Sequence, residues 1–240
     1  MFGDQILLNC ALLVACYAYI SLIIMISGKI SSAFRVSRSS SRKFLHVMIG
    51  NLPFVIPFFS YNSFPLNFPF FVAAPFILLT LLASPYSPSR RVYRKLTSLY
   101  DITEEGHALG LVFYAVSYTL LAFFFSSKHY VIAAGVLPMA YGDASAALIG
   151  EKYGKRRYQI FASKSLEGSI AMFVISFSSF TVGMLFFSAV YSFAVSNVIV
   201  AALGVAFMAV LVEGLSPIGF DNLTVPILSA FTFLLLTGGL

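Results

Sequence analysis

Residues 44–89 read "FLHVMIGNLPFVIPFFSYNSFPLNFPFFVAAPFILLTLLASPYSPS" and contain no Asp, Glu, Lys or Arg. A bilayer core takes roughly 20 residues of helix to cross, so a charge-free run this long must cross, turn and cross back. The turn belongs at 60–69, "SYNSFPLNFP", where Asn and Pro collect. The same reasoning applies to Gly168 through Val212, also free of charge, with a turn between Tyr191 and Asn197. Working outward predicts about eight spans, near 5–27, 44–60, 68–84, 107–126, 130–149, 167–190, 197–214 and 223–239. The fold expected is all-α: a polytopic transmembrane helix bundle, one integral-membrane domain over residues 1–240.

Composition agrees. The chain is 59% hydrophobic and 10% charged, where a soluble domain carries about 25% charged residues. "MFGDQILLNC" lacks a basic n-region and the apolar run from Ile6 to Ile26 is long enough to span, so no cleavable signal peptide is expected. No transit peptide is evident either, which points to a prokaryotic plasma membrane. Cys10 and Cys16 share that run and read as packing residues, not as a disulfide or metal pair. The net charge of +6 raises the question of nucleic acid, but the placement of the charge argues against it.

With eight spans both termini lie on one side, and Lys and Arg decide which. Lys29, Arg35, Arg38, Arg42 and Lys43 fall in the first loop, and Arg90, Arg91, Arg94 and Lys95 in the third. Lys152, Lys155, Arg156, Arg157 and Lys164 fall in the fifth. Fourteen of the fifteen cations thus share one face, with Lys128 opposite. The three basic loops are expected in the cytoplasm and both termini on the non-cytoplasmic side. Contact with anionic lipid accounts for the first loop. It does not account for the fifth, where "LIGEKYGKRRYQIFASKSLEGSI", residues 148–170, gathers seven of the 24 charged side chains.

The carboxylates sharpen the reading. Asp101, Glu104 and Glu105 suit a solvated helix start, whereas Asp143, Glu151, Glu167, Glu213 and Asp221 fall at or just inside the cytoplasmic ends of spans five to eight. Asp143, in "MAYGDASAALIG", sits about two turns inside span five. A carboxylate there costs on the order of 2.5–3.5 kcal/mol, so it needs a cationic partner, a metal or a water-filled cavity. Gly142, Ala146 and Gly150 recur every fourth residue around it, which lets another helix approach. Asp221, in "EGLSPIGFDNLTVP", opens the last span, where helix capping alone would explain it, with Pro226 inside about the first turn. Glu213 is placed to face the same pocket.

In "SKSLEGS", Ser163 or Ser165 can cap span six, with Glu167 in the first turn and Gly168 allowing close approach. Free N–H groups there, beside Lys164 and "GKRR" at 154–157, make a ready phosphate site. Carboxylates at the ends of spans five and eight then suit Mg²⁺, which binds through few carboxylates plus substrate phosphates. The loop reads as built for a nucleotide triphosphate and its metal. "GEKYGKR" is not a Walker A loop, and neither a dinucleotide, kinase nor H-E-x-x-H signature occurs. His107 and His129 read as interfacial, while His46 follows a basic pair at the membrane edge.

"RKFLHVMIGN", "GDASAALIGEKYGK", "SKSLEGSIAMF" and "DNLTVP", in this order, resemble the CTP-dependent polyprenol kinases, the dolichol and phytol kinase family, distantly related to phosphatidate cytidylyltransferases. The resemblance runs from about residue 42 to the end. It implies transfer of the γ-phosphoryl group of CTP to a membrane-embedded long-chain alcohol, with Mg²⁺. Carried over by position, Asp143 and Asp221 become Mg²⁺ or catalytic carboxylates, with Asn222 beside them. Lys164, Ser165, Glu167 and Gly168 form the K-S-x-E-G element near the phosphates. Gly150, Gly154, Lys155 and Arg156 form the glycine-basic turn, and Arg42, Lys43 and His46 the R-K-x-x-H element. Lys164 would neutralise developing charge, and Glu167 or Asp221 would take the alcohol's proton. The long N-terminal membrane region of the larger dolichol kinases is missing, which favours a compact, phytol-kinase-like form. Ser163-Lys164-Ser165-Leu166-Glu167-Gly168 lacks the Pro and second Lys of the cytidylyltransferase S-P-K-K-T-x-E-G element.

Two rivals stand beside this reading. A phosphatidate-type cytidylyltransferase would use a similar site but break the α–β bond of CTP. A small cation- or proton-coupled transporter would also place carboxylates in helices, though usually near the midplane between repeats.

Overall fold

The charge-free runs fold as helices that break where Pro, Asn and Gly fall. We describe the chain from a computed structural model, which describes residues 2–34, 38–96, 108–193 and 196–238. It packs as two units, Met1–Ser127 and Lys128–Leu240. Asp101, Glu104, Glu105, His107 and Arg35 lie outside the described residues.

The first unit contains α1 (Phe2–Phe34), α2 (Arg38–Ile49), a hairpin of β1 (Asn62–Ser63) and β2 (Leu66–Asn67), α3 (Phe68–Leu82), α4 (Arg90–Lys95) and α5 (Gly110–Phe124). The hairpin is the turn expected between spans two and three. Asn67 ends it and caps α3, accepting from the Phe70 N–H at 3.0 Å, while its amide donates to the Ala122 carbonyl of α5 at 3.2 Å. Polar tethers also fix α1: Tyr19 donates to the Met48 carbonyl and Ser27 to the Ser41 carbonyl, each at 2.8 Å. Ile23, Leu45 and Leu111 form the apolar centre between α1, α2 and α5.

One predicted span is corrected. Residues 44–60 are not one helix: α2 ends at Ile49, and two three-residue 3₁₀ turns follow, Leu52–Phe54 and Ile56–Phe58. Gly50 and Asn51 favour a turn, and Pro53 and Pro57 remove the N–H donors that an α-helix needs. The 12 residues of α2 extend about 18 Å, short of the roughly 30 Å hydrocarbon core.

The second unit is built round a rod, His129–Tyr153, made of α6 (His129–Leu137), a π-helical segment (Pro138–Asp143) and α7 (Ala144–Tyr153). Every residue from His129 to Ala140 is buried. A helix that is apolar all round belongs inside, and these side chains are mostly small. The π segment begins at Pro138, which contributes no N–H to the ladder. Its carbonyl accepts instead from Ser176 at 3.2 Å. Round the rod stand the hairpin β3 (Arg157–Gln159) and β4 (Ser163–Ser165), then α8 (Leu166–Tyr191), α9 (Ser196–Leu215) and α10 (Asp221–Thr237). At the rod's start, His129 is buried and its Nδ1 is hydrogen-bonded to the Tyr191 hydroxyl.

Among the described residues, four helices are long and apolar enough to cross a membrane: Gly3–Ser27, His129–Tyr153, Leu166–Tyr191 and Val198–Leu215. Three shorter apolar helices, α3, α5 and α10, fall on predicted spans three, four and eight. Val174 and Val182 of α8, Val200 and Phe207 of α9, and Phe231 and Leu235 of α10 all point outward and are exposed. Large apolar side chains in such numbers on the outside suit a lipid environment.

Candidate functional site

The fifth loop folds as a β-hairpin in which Arg157 faces Ser165, Tyr158 faces Lys164 and Gln159 faces Ser163. The Leu166 N–H continues the ladder to the Arg156 carbonyl at 2.9 Å. Of the two candidate caps, Ser165 takes the role, its Oγ accepting from the Gly168 N–H at 3.1 Å. The Glu167 carboxylate reaches back to the basic turn and accepts from the backbone N–H of Lys155 at 3.1 Å and of Arg156 at 3.3 Å. Glu167 therefore fastens the start of α8 to the turn after α7.

The glycines around Ser165 are there for closeness. A Cβ at Gly150 would stand 2.8 Å from the Ser165 Oγ, one at Gly154 would stand 2.8 Å from its Cβ, and one at Gly168 would stand 2.8 Å from the Ala146 carbonyl. Gly142 does the same a turn deeper, where a Cβ would collide with the Ser176 Oγ. The small-residue stripe of the rod thus seats α8, as its four-residue spacing predicts. The first amides of α8, expected to be free for a phosphate, are already engaged: Leu166 on Arg156 and Gly168 on Ser165. Lys155, Arg156 and Arg157 remain exposed beside them.

Lys164 is where the chemistry concentrates. Its ammonium makes an ion pair with Glu213, at the end of α9, and stands 3.9 Å from Asp221 Oδ2, in the first turn of α10. Burial works against the ammonium's charge. The carboxylates of Glu213 and Asp221, with a contribution from Asp143 on the rod, outweigh that and hold the Lys164 pKa above its ordinary value. Asp143, Glu213 and Asp221 are all buried. The structure thus gathers Asp143, Lys164 and Asp221 as the sequence predicts, and gives Glu213 the closest hold on Lys164. Glu213 and Lys164 are 49 positions apart, a pairing that no local spacing announces.

Two further residues shape this corner. Tyr158, the cross-strand neighbour of Lys164, bonds through its hydroxyl to the Ser169 Oγ at 2.7 Å, and a Cβ at Gly214 would stand 3.2 Å from that hydroxyl. The glycine beside Glu213 leaves the ring its room. Gly219, at φ +82°, adopts the left-handed turn before α10. Its carbonyl accepts from the Asn222 amide at 3.3 Å, while the Asn222 N–H bonds Asp221 Oδ1 at 2.9 Å. Asn222 therefore holds the turn that aims Asp221, and Asp221 is not a side-chain cap of α10. Pro226 lies inside α10, beyond its first turn. Arg42, Lys43 and His46 are buried on α2 of the first unit. There the His46 carbonyl accepts from the Tyr114 hydroxyl at 3.3 Å.

The donor set suits Mg²⁺. Asp143, Glu213 and Asp221 offer hard carboxylate oxygens of the kind that Mg²⁺ takes. Among the described residues no three His, Cys, Asp or Glu side chains come close enough to hold an ion by themselves.

Fold and site together define a helical membrane protein in which a buried cluster of carboxylates and one lysine stands beside an exposed basic hairpin. Comparison with known proteins makes this narrower. The chain is 42% identical over 127 residues to a phytol kinase of Synechocystis sp., covering 52% of this chain and 53% of that one. It is 29% identical over 169 residues to CTP-dependent diacylglycerol kinase 1 of Eremothecium gossypii (64% and 53%) and 28% identical over 207 residues to the probable chloroplastic phytol kinase 1 of Glycine max (80% and 67%). Over part of its length the chain is thus similar to phytol kinases and to a CTP-dependent diacylglycerol kinase. The matched region spans about half the length of the first two relatives, 53% in each case. No protein-family model matches the chain, and no solved structure matches it.

Proposed function

We propose that the chain transfers the γ-phosphoryl group of CTP to the hydroxyl of a long-chain isoprenoid alcohol, at the cytoplasmic face of a prokaryotic plasma membrane. The observation that carries the reading is the buried cluster of Asp143, Lys164, Glu213 and Asp221 beside the exposed cations of the hairpin. The names of the relatives support the donor and the acceptor class: two are phytol kinases and a third is a CTP-dependent lipid kinase.

Phosphoryl transfer asks a protein mainly for positioning and for charge opposite the phosphates. Lys155, Arg156 and Arg157 draw in the triphosphate, and Lys164 neutralises charge that develops on it. Asp143 and Asp221 would hold Mg²⁺, which would further neutralise the charge of the phosphate oxygens. Glu167 has its carboxylate committed to two backbone amides, so the alcohol's proton goes to Asp221. The alcohol oxygen bonds to the γ-phosphorus as its bond to the β–γ bridging oxygen breaks, and CDP leaves. Lys155, Arg156, Arg157 and Lys164 beyond one end of the rod, against Lys128 at the other, support the cytoplasmic placement of the hairpin.

The test is a parallel incubation of purified protein, Mg²⁺ and lipid extract with γ-labelled or α-labelled CTP. Label entering lipid only from the γ position establishes a lipid kinase, and a panel of isoprenoid alcohols and diacylglycerol then names the acceptor. Label entering only from the α position would make the chain a cytidylyltransferase. Absence of CTP binding would favour a transporter.

A further inference from the structure

The β3–β4 hairpin ends in Ile160 and Phe161, whose side chains are 54% and 63% exposed although they belong to a loop and not to the outer face of a span. Where this tip sits follows from how the hairpin is tied down. Tyr158, two positions before Ile160, bonds through its hydroxyl to the Ser169 Oγ in the first turn of α8 at 2.7 Å. The other strand runs straight into that turn, with Ser165 as its cap. Two residues of strand reach roughly 7 Å, which keeps the tip near the start of α8. The 26 residues of α8 extend about 39 Å, more than the roughly 30 Å hydrocarbon core. Its first turn therefore stands at headgroup level, and an apolar tip tied to that turn faces lipid headgroups before it faces bulk water.

The charge around the tip suits the same neighbour. Residues 151–161 hold four cations, Lys152, Lys155, Arg156 and Arg157, and one acid, Glu151. All four cations are exposed. Tyr153 at the end of the rod is exposed as well, with the Lys152 ammonium 5.1 Å from its ring centroid. Tyrosine rings and snorkelling lysines are what hold a span at the interface, and anionic headgroups attract such cations. We propose that the hairpin is an interfacial anchor: Ile160 and Phe161 enter the headgroup–acyl boundary beside the start of α8, and Lys152 meets the phosphates of anionic lipid. The inference rests on the second unit crossing the membrane and is independent of the transfer reaction. Lys155, Arg156 and Arg157 keep the role given them above.

The chain contains no Trp, so Phe161→Trp gives the full-length protein a single fluorophore at the tip. The protein is reconstituted in vesicles whose lipids carry bromine either near the headgroup end of the acyl chain or near its terminal methyl. We expect blue-shifted emission, stronger quenching by the shallow bromine than by the deep one, and little quenching by aqueous acrylamide. Ile160→Trp should behave the same way. Phe207→Trp, midway along the exposed face of α9, is the control for insertion and should be quenched best by the deep bromine. Adding anionic lipid to zwitterionic vesicles should increase the shallow quenching at position 161, and Lys152→Glu should lose part of that increase. Red-shifted emission quenched by acrylamide would overturn the proposal, because the tip would then lie in water. Shielding from acrylamide and bromine alike would also overturn it, because a protein surface such as a second copy would then cover the tip. Shallow quenching indifferent to lipid charge would overturn the role of Lys152.

Discussion

Lys164 carries a positive charge to a point where the carboxyl groups of Glu213, Asp221 and Asp143 converge, and its own burial opposes that charge. The carboxylates win, so its folded-state pKa lies above the unfolded one. A raised pKa gives a stabilising contribution that is complete below the ordinary lysine value of about 10.4 and fades only as pH climbs through the higher folded value. Lys164→Met should therefore cost about 3–5 kcal/mol by leaving buried acids without their counter-charge. Thermal unfolding in detergent should show a deficit that stays flat between about pH 6 and pH 9. A deficit absent at neutral pH would mean the ammonium is not paired as described. Asp143→Asn makes the complementary test of chemistry. It should abolish label transfer from CTP while the protein still inserts in the membrane, and near-normal turnover would remove Asp143 from the metal assignment.

At the scale of elements, the meeting of α7, the hairpin and α8 decides whether the charged groups are held in place. Gly168→Ala would push a Cβ to 2.8 Å from the Ala146 carbonyl, a backbone atom with little freedom to yield. Overpacking of this kind costs about 1–3 kcal/mol, which a lowered melting temperature would report. Glu167 separates a fastening role from a catalytic one. Since its carboxylate grips the Lys155 and Arg156 amides, Glu167→Gln should raise the KM for CTP with a small effect on kcat, whereas loss of a general base would collapse kcat. Much of this junction is legible in the sequence: the Gly142–Ala146–Gly150 stripe, the Ser165 cap and the turn before Phe68 follow from local chemistry. The hairpin is not, because Ile160, Phe161 and Ala162 between its strands carry none of the Asn-Gly or Asp-Gly signals of a tight turn. Span two misleads because hydropathy counts Pro53 and Pro57 as apolar company while the backbone needs their missing N–H groups. The Lys164–Glu213 pair spans 49 positions, a contact that tertiary packing creates and no periodicity encodes.

At the scale of the whole molecule, the rod His129–Tyr153 gives the clearest handle on sidedness. Its 25 residues extend about 37 Å, more than the roughly 30 Å hydrocarbon core, so the segments flanking it should emerge on opposite faces. Lys128 precedes one end, and Lys155, Arg156 and Arg157 follow the other. The excess of cations beyond that end is the basis for proposing it as the cytoplasmic one, where a nucleotide triphosphate is available. Cys10 and Cys16 are the chain's own thiols, so the test starts from a Cys10→Ser, Cys16→Ser background that carries either Lys128→Cys or Arg157→Cys. A membrane-impermeant maleimide added to intact cells should modify the cysteine at 128 and spare the one at 157, and inverted vesicles should give the opposite result. Modification of both from one side would mean the rod does not cross, and with it the transmembrane reading of the second unit would fall. A reversed pattern would keep the crossing but put the basic hairpin outside, away from cytosolic CTP, and the kinase reading would then have to yield whatever the fold.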